Sequence, residues 1–117
     1  MPNSDQRFVD PLAAESPFEW EPVTEDGYGE GIHEMVFYRD DDGSHSRLVR
    51  LEPGVKVDRT LEHDFYEEVW IARGGLVDTG HDRVIRAGEY CCRTPGMKHG
   101  PYEAPIGCLS FEHRYYD

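Results

Sequence analysis

The sequence predicts an all-β protein, a single-domain jelly-roll barrel with an extended N-terminal arm. Three observations predict it. Apolar residues come in strand-sized runs bounded by turn signals every eight to twelve residues. No window carries the 3.6-residue apolar period of an amphipathic helix. At 117 residues the chain is long enough for one modest core and too short for two.

The first 29 residues form the expected arm. Pro2, Pro11, Pro17 and Pro22 exclude a long helix, since proline lacks the amide that a helix interior needs. One short strand is compatible with this stretch. Phe8, Val9, Phe18 and Trp20 are expected to pack on the body or on a second subunit; disorder of the first ten residues is the alternative.

The barrel is expected over 30–117. Ile32 to Arg39 (IHEMVFYR) is rich in β-formers, and Asp40 to Ser44 (DDDGS) reads as a turn. Arg47 to Leu51 is the returning strand, and Val55 to Val57 follows the Glu52-Pro53-Gly54 turn. Tyr66 to Arg73 alternates, with Glu67, Val69 and Ile71 on one face and Glu68, Trp70 and Ala72 on the other. Gly74-Gly75 is expected to end that strand. Leu76 to Asp78 and Arg83 to Arg86 then form a hairpin about Thr79 to Asp82. Glu89 to Arg93 is a strand, Thr94 to Gly100 a loop, and Gly107 to Tyr116 the long final strand.

Composition narrows the function classes. Aspartate and glutamate number 24 against 12 lysines and arginines, a net charge of -12. Such a field repels nucleic acid and anionic membranes. No apolar run approaches the ~18 residues of a membrane-spanning helix, and MPNSDQRFVD lacks the order of a signal peptide. A cytoplasmic location is the expectation. Cys91, Cys92 and Cys108 do not describe a disulfide framework and are read as small buried residues.

The candidate chemistry lies between Arg59 and Gly100. His63, Glu67, Glu68 and His99 are residues of the type that binds transition metals. Two imidazoles and a carboxylate form a facial set that leaves open positions on Fe(II), with Zn, Mn or Ni as further options. Other histidines are weaker candidates. His45 and His81 fall in turns and are expected to be exposed, His33 is a strand residue, and His113 on the last strand is a lesser candidate for the cavity. Trp70, Tyr102 and Phe111 read as core, and Lys98 as exposed.

This segment resembles the two signature motifs of the cupins. Gly54, then Leu61-Glu62-His63, then Glu67 with Gly74 (or Glu68 with Gly75) is similar to the first motif. Gly88, then Thr94-Pro95-Gly96, then His99 is similar to the second. Across about residues 30–114 the chain looks closest to small cupins akin to the cupin domain of zinc-binding anti-sigma factors and to diketone-cleaving dioxygenases. Two positions depart: Leu61 stands where the motif has its first histidine, and Thr94 where it has a proline. The resemblance implies a cupin barrel and at most three protein ligands: His63, Glu67 or Glu68, and His99. Glu67 is preferred because Val69 and Ile71 share its face.

The resemblance further implies a metal-dependent enzyme, such as a dioxygenase acting on a small organic molecule, with Tyr66 or Glu68 acting beside the metal. The alternative is a non-catalytic ligand- or metal-binding module, or one from which the metal is lost because Leu61 replaces the motif histidine. A homodimer using the arm is the expected assembly.

Overall fold

A computed structural model describes residues 7–25 and 28–117. Pro2 and the rest of the predicted arm at 1–6 and 26–27 lie outside these.

Eleven strands are found among the described residues. They are β1 (Glu21–Pro22), β2 (Ile32–Arg39), β3 (His45–Leu51), β4 (Val55–Val57), β5 (Leu61–Glu62), β6 (Tyr66–Asp78), β7 (Arg83–Arg86), β8 (Tyr90–Arg93), β9 (Lys98–His99), β10 (Tyr102–Ala104) and β11 (Cys108–Tyr115). All pairings are antiparallel. The main sheet runs β1-β2-β3-β11-β6-β10-β4, with β7 and β8 also paired to β6, and β5 pairs with β9 apart from it. This is the all-β barrel the sequence predicts.

Strand β6 organises the barrel. Its first half pairs with β11 on one edge and β8 on the other. Its second half pairs with β7 and β10. The switch falls at Gly74-Gly75, where the sequence predicts a strand end. The strand instead turns a corner and continues in the other layer, as strands that change sheets do. Only glycine fits there. A Cβ on Gly74, whose φ is +69°, would lie 2.1 Å from the Gly107 carbonyl oxygen, and one on Gly75 would lie 2.5 Å from that of Ile85.

Alternation along each strand builds the interior. Val69 and Ile71 of β6, Val49 and Leu51 of β3, Ile32 of β2 and Ala104 of β10 form one apolar cluster. Each buried aliphatic side chain there contributes about 1.5–3 kcal/mol. The same inward rows continue into charge at the other end of the barrel. Glu67 precedes Val69, Arg47 precedes Val49, Glu34 follows Ile32, and Glu112 and Arg114 follow Ser110. Glu34, Arg47, Glu67 and Ser110 are all buried.

The arm docks in part. β1 pairs with β2, and Val23 joins the core. Phe18 meets Phe37 edge-on at 4.9 Å, and Trp20 lies 4.3 Å under the Arg50 guanidinium. Phe8 and Val9 are exposed.

Several expectations are corrected. His45 is buried, because β3 starts two residues earlier than the composition suggests and His45 takes the inward parity of Arg47. Cys91 and Cys92 are exposed, because β8 pairs with β6 alone and is an edge. Trp70 and Phe111 face each other across the outer surface and are 46% and 37% exposed, so they are not core. The loop predicted over Thr94 to Gly100 contains β9. Cys108 and Tyr102 are buried as expected, and His81 is exposed.

Candidate metal centre

The site assembles from three places in the chain. His63 follows the short β5, His99 ends β9, and Glu67 is the second residue of β6. The pairing of Leu61 with His99 holds the first two neighbours in space, and their rings are 4.9 Å apart. His63 is further fixed by Phe65, stacked on it at 4.4 Å. Glu67 enters from the facing strand.

One potential ligand atom from each of His63, Glu67 and His99 lies within 4.8 Å of the others. His63 Nε2, Glu67 Oε2 and His99 Nε2 are buried and have no hydrogen-bond partner. A buried polar atom without a partner costs about 1–3 kcal/mol. Unpartnered polar atoms on three residues whose ligand atoms cluster are what a cation site needs, and two imidazoles with one carboxylate suit a transition metal. On this observation the residues fit a divalent ion.

The electrostatics agree. Burial pushes the His99 imidazole down to about 3, helped by the Arg93 charge. Burial also lowers His63, helped by Arg114. Both rings are therefore neutral at pH 7, the state that ligates. Burial and the Glu112 charge push Glu67 up to about 7 against the pull of Arg93, Arg47 and Arg114. That carboxylate lacks enough positive charge of its own.

Two residues that the sequence pattern does not single out for the site hold the ligands in place. Arg93 Nη1 donates to Glu67 Oε1 at 3.1 Å, and Arg93 Nη2 donates to Tyr102 Oη at 2.7 Å. Tyr102 Oη lies 2.8 Å from His99 Nδ1. When that nitrogen donates, Nε2 carries the free lone pair. Metal-binding histidines are commonly oriented through their second nitrogen in this way. Arg93 pairs with Glu67 in register between β8 and β6, a relationship that no local signal reveals. Tyr102 is legible as core, and it is core; its hydroxyl contact is not legible.

The structure does not bring Tyr66 and Glu68 to this group. Both have the outer parity of β6. Tyr66 stacks on Tyr115 at 5.3 Å, and Glu68 Oε1 accepts from Tyr90 Oη at 2.5 Å. Glu67 is the acid that stands beside the histidines. His113 is also on the outer face, where it stacks on Tyr115 at 5.1 Å. His81 Nδ1 lies 3.0 Å from Asp78 Oδ2.

The family described as the ChrR Cupin-like domain matches residues 10–115. The chain belongs to that family. Solved cupin structures share its fold. An RmlC-like cupin protein from Ralstonia eutropha JMP134 is 20% identical, with a TM-score of 0.68, over 82% of this chain and 62% of its own. An acetylacetone dioxygenase from Acinetobacter johnsonii is 14% identical, with a TM-score of 0.71, over 97% of this chain and 76% of its own. One chain in the structure of Rhodobacter sphaeroides SigE in complex with the anti-sigma ChrR is 16% identical, with a TM-score of 0.63, over 82% of this chain and 48% of its own. This cupin-like chain thus spans under two thirds of the first and about half of the third. At these identities the likeness shows the cupin fold. No curated protein matches. Among the described residues no helix is long and apolar enough to cross a membrane.

Proposed function

We propose that this cupin-like chain holds a divalent transition metal ion, Fe(II), Zn, Mn or Ni, among His63, Glu67 and His99. In this reading it works as a metal-dependent enzyme on a small organic molecule, with dioxygenase chemistry as the leading option. The observation that carries the reading is the convergence of three buried, partnerless ligand atoms. The likeness to acetylacetone dioxygenase supports the reaction class.

The ion would polarise a carbonyl or enolate oxygen and, as Fe(II), give access to O2. The chain's residues do the rest. Tyr102 fixes the His99 ring, and Arg93 ties Tyr102 to Glu67, so the two strands present their ligands as one unit. Val49, Val69 and Leu76 line the adjoining cavity, which keeps water scarce and strengthens every charge interaction inside it.

Metal analysis of protein purified without a chelating tag tests the first half. About one ion per chain is expected, against a trace in His99→Ala. Equal traces in both would overturn the reading. Oxygen uptake under Fe(II) with β-diketones, phenols and thiols tests the second half.

A second reading, a non-catalytic binding module, draws on two observations. Leu61 fills the position of a motif histidine and is buried. The cavity beside the ligands has a volume of about 40 Å³, room for a few waters rather than an organic substrate. Metal bound without oxygen uptake from any compound would favour it.

We also propose that two copies pair through the outer face that carries Trp70, Tyr90 and Phe111, all substantially exposed. Light scattering of the chain and of Trp70→Glu would read a dimer and a monomer, respectively; a monomeric parent would refute the pairing.

A further inference from the structure

At the charged end of the barrel, Arg47 and Arg114 grip the carboxylate of Glu25. Arg47 Nη1 donates to Glu25 Oε1 at 2.8 Å, and Arg114 Nη2 donates to Glu25 Oε2 at 2.9 Å. Each oxygen thus has its own guanidinium, a two-point grip made of charge-assisted hydrogen bonds. The arginines belong to the barrel wall, on β3 and β11. Glu25 does not: it sits in the connection between β1 and β2.

Exposure separates the clamp from its occupant. The side chains of Arg47 and Arg114 are 0% and 12% exposed, and that of Glu25 is 30% exposed. Arg47 is also held by Glu34 at 3.0 Å and Glu112 at 3.0 Å, so the clamp stays built when Glu25 is taken away. Arg114 keeps a buried Nε with no partner, a donor that Glu25 does not use. Its guanidinium rests 3.9 Å from the Phe65 ring centre. Its Nη2 is also 3.8 Å from Glu67 Oε2, so the clamp adjoins the candidate metal ligands.

We propose that Arg47 and Arg114 form a carboxylate-binding subsite, closed by Glu25 in this structure and opened when the carboxylate of a small organic monoacid takes its place. The exchange conserves charge. One carboxylate leaves for water and one arrives, so the buried guanidiniums never lose their counter-charge, the costly alternative. A neutral ligand would remove one counter-charge from the pair, and a dianion would add a buried charge. The exchange also makes room. Glu25 is the partly exposed member of the group, and its departure vacates the volume that its own carboxylate fills. This role rests on the metal reading only for the second step, in which another oxygen of the acid reaches towards His63, Glu67 and His99.

Acetate is the probe, titrated into the metal-free protein at constant ionic strength with chloride as control. Binding is followed by calorimetry and by the shift in melting temperature. Saturable binding is expected in the unmodified chain. In Glu25→Ala, where the internal competitor is gone, it should be at least about tenfold tighter. Glu25→Gln keeps the side-chain volume and serves if the alanine variant does not fold; it too should bind more tightly than the parent. Adding Arg114→Met to either variant should abolish the gain. A response equal to that of chloride, or one unchanged by removal of Glu25, overturns the proposal. Because no metal is present, this result stands or falls apart from the metal reading.

Discussion

The Tyr102 hydroxyl lies 2.8 Å from Nδ1 of His99, whose other nitrogen, Nε2, is buried without a hydrogen-bond partner. Arg93 donates to the same oxygen at 2.7 Å, so one hydroxyl bridges the guanidinium and the imidazole. Tyr102→Phe removes this contact and keeps the ring that packs in the core. We expect metal affinity to fall about 10–100-fold, the usual cost of losing a partner to a ligand. A chelator competition assay with Zn checks this, with circular dichroism to show an unchanged fold.

Arg93 has a different role. Its guanidinium is the nearest counter-charge to Glu67, at 3.1 Å, and the two side chains are 13% and 3% exposed. Arg93→Met leaves a buried carboxylate with weaker compensation. We expect a loss of about 1–3 kcal/mol in urea unfolding at pH 8 without metal. The loss should shrink at pH 5, where Glu67 is already protonated. A loss independent of pH would show that the cost is packing alone.

His45 makes the fold sensitive to acid. Its Nδ1 donates to the Gly43 carbonyl at 3.0 Å, and Nε2 is buried without a partner. Burial pushes its pKa down to about 4, with the Arg114 and Arg47 charges adding to the effect. Between about 6.5 and 4 the unfolded chain therefore binds a proton that the folded chain refuses. The His45 contribution is whole above pH 6.5 and drains away as pH falls towards 4. His45→Gln should flatten that decline by about 1–3 kcal/mol. Glu67, raised to about 7, acts in the opposite sense, so the measurement is the difference between the two proteins in urea melts across that window.

Gly74→Ala tests the corner of β6. The added methyl would sit 2.1 Å from a backbone oxygen at a φ of +69°. Neither neighbour is a flexible side-chain end, so the strand must shift. We expect a loss of about 3 kcal/mol or more and a lower thermal midpoint. Gly88→Ala, with the same sign of φ but open space around it, is the control that isolates the clash.

Much of the barrel is legible because strands have a period of two. The spacing of Glu67, Val69 and Ile71 alone puts them on one face, and all three are buried. The same rule applied to HSRLVRL and CLSFEHRY would put Arg47, Glu112 and Arg114 inside. Composition argues otherwise, since a lone charged residue in a strand is ordinarily exposed. Burial becomes acceptable only through partners 13 to 89 residues away.

The sequence by itself determined the β class, most of the strands, and which residue types were available for a metal, since periodicity and turn chemistry act locally. Only the tertiary structure decided that Glu67 rather than Glu68 stands beside the histidines, that Arg93 and Tyr102 hold those ligands, and that Glu25 closes an arginine clamp. Each of these depends on contacts between distant strands, and the place of Tyr102 also on the bend at Gly74-Gly75. Those are set by the closure of the whole barrel, a balance among distant strands that no short stretch of the chain contains.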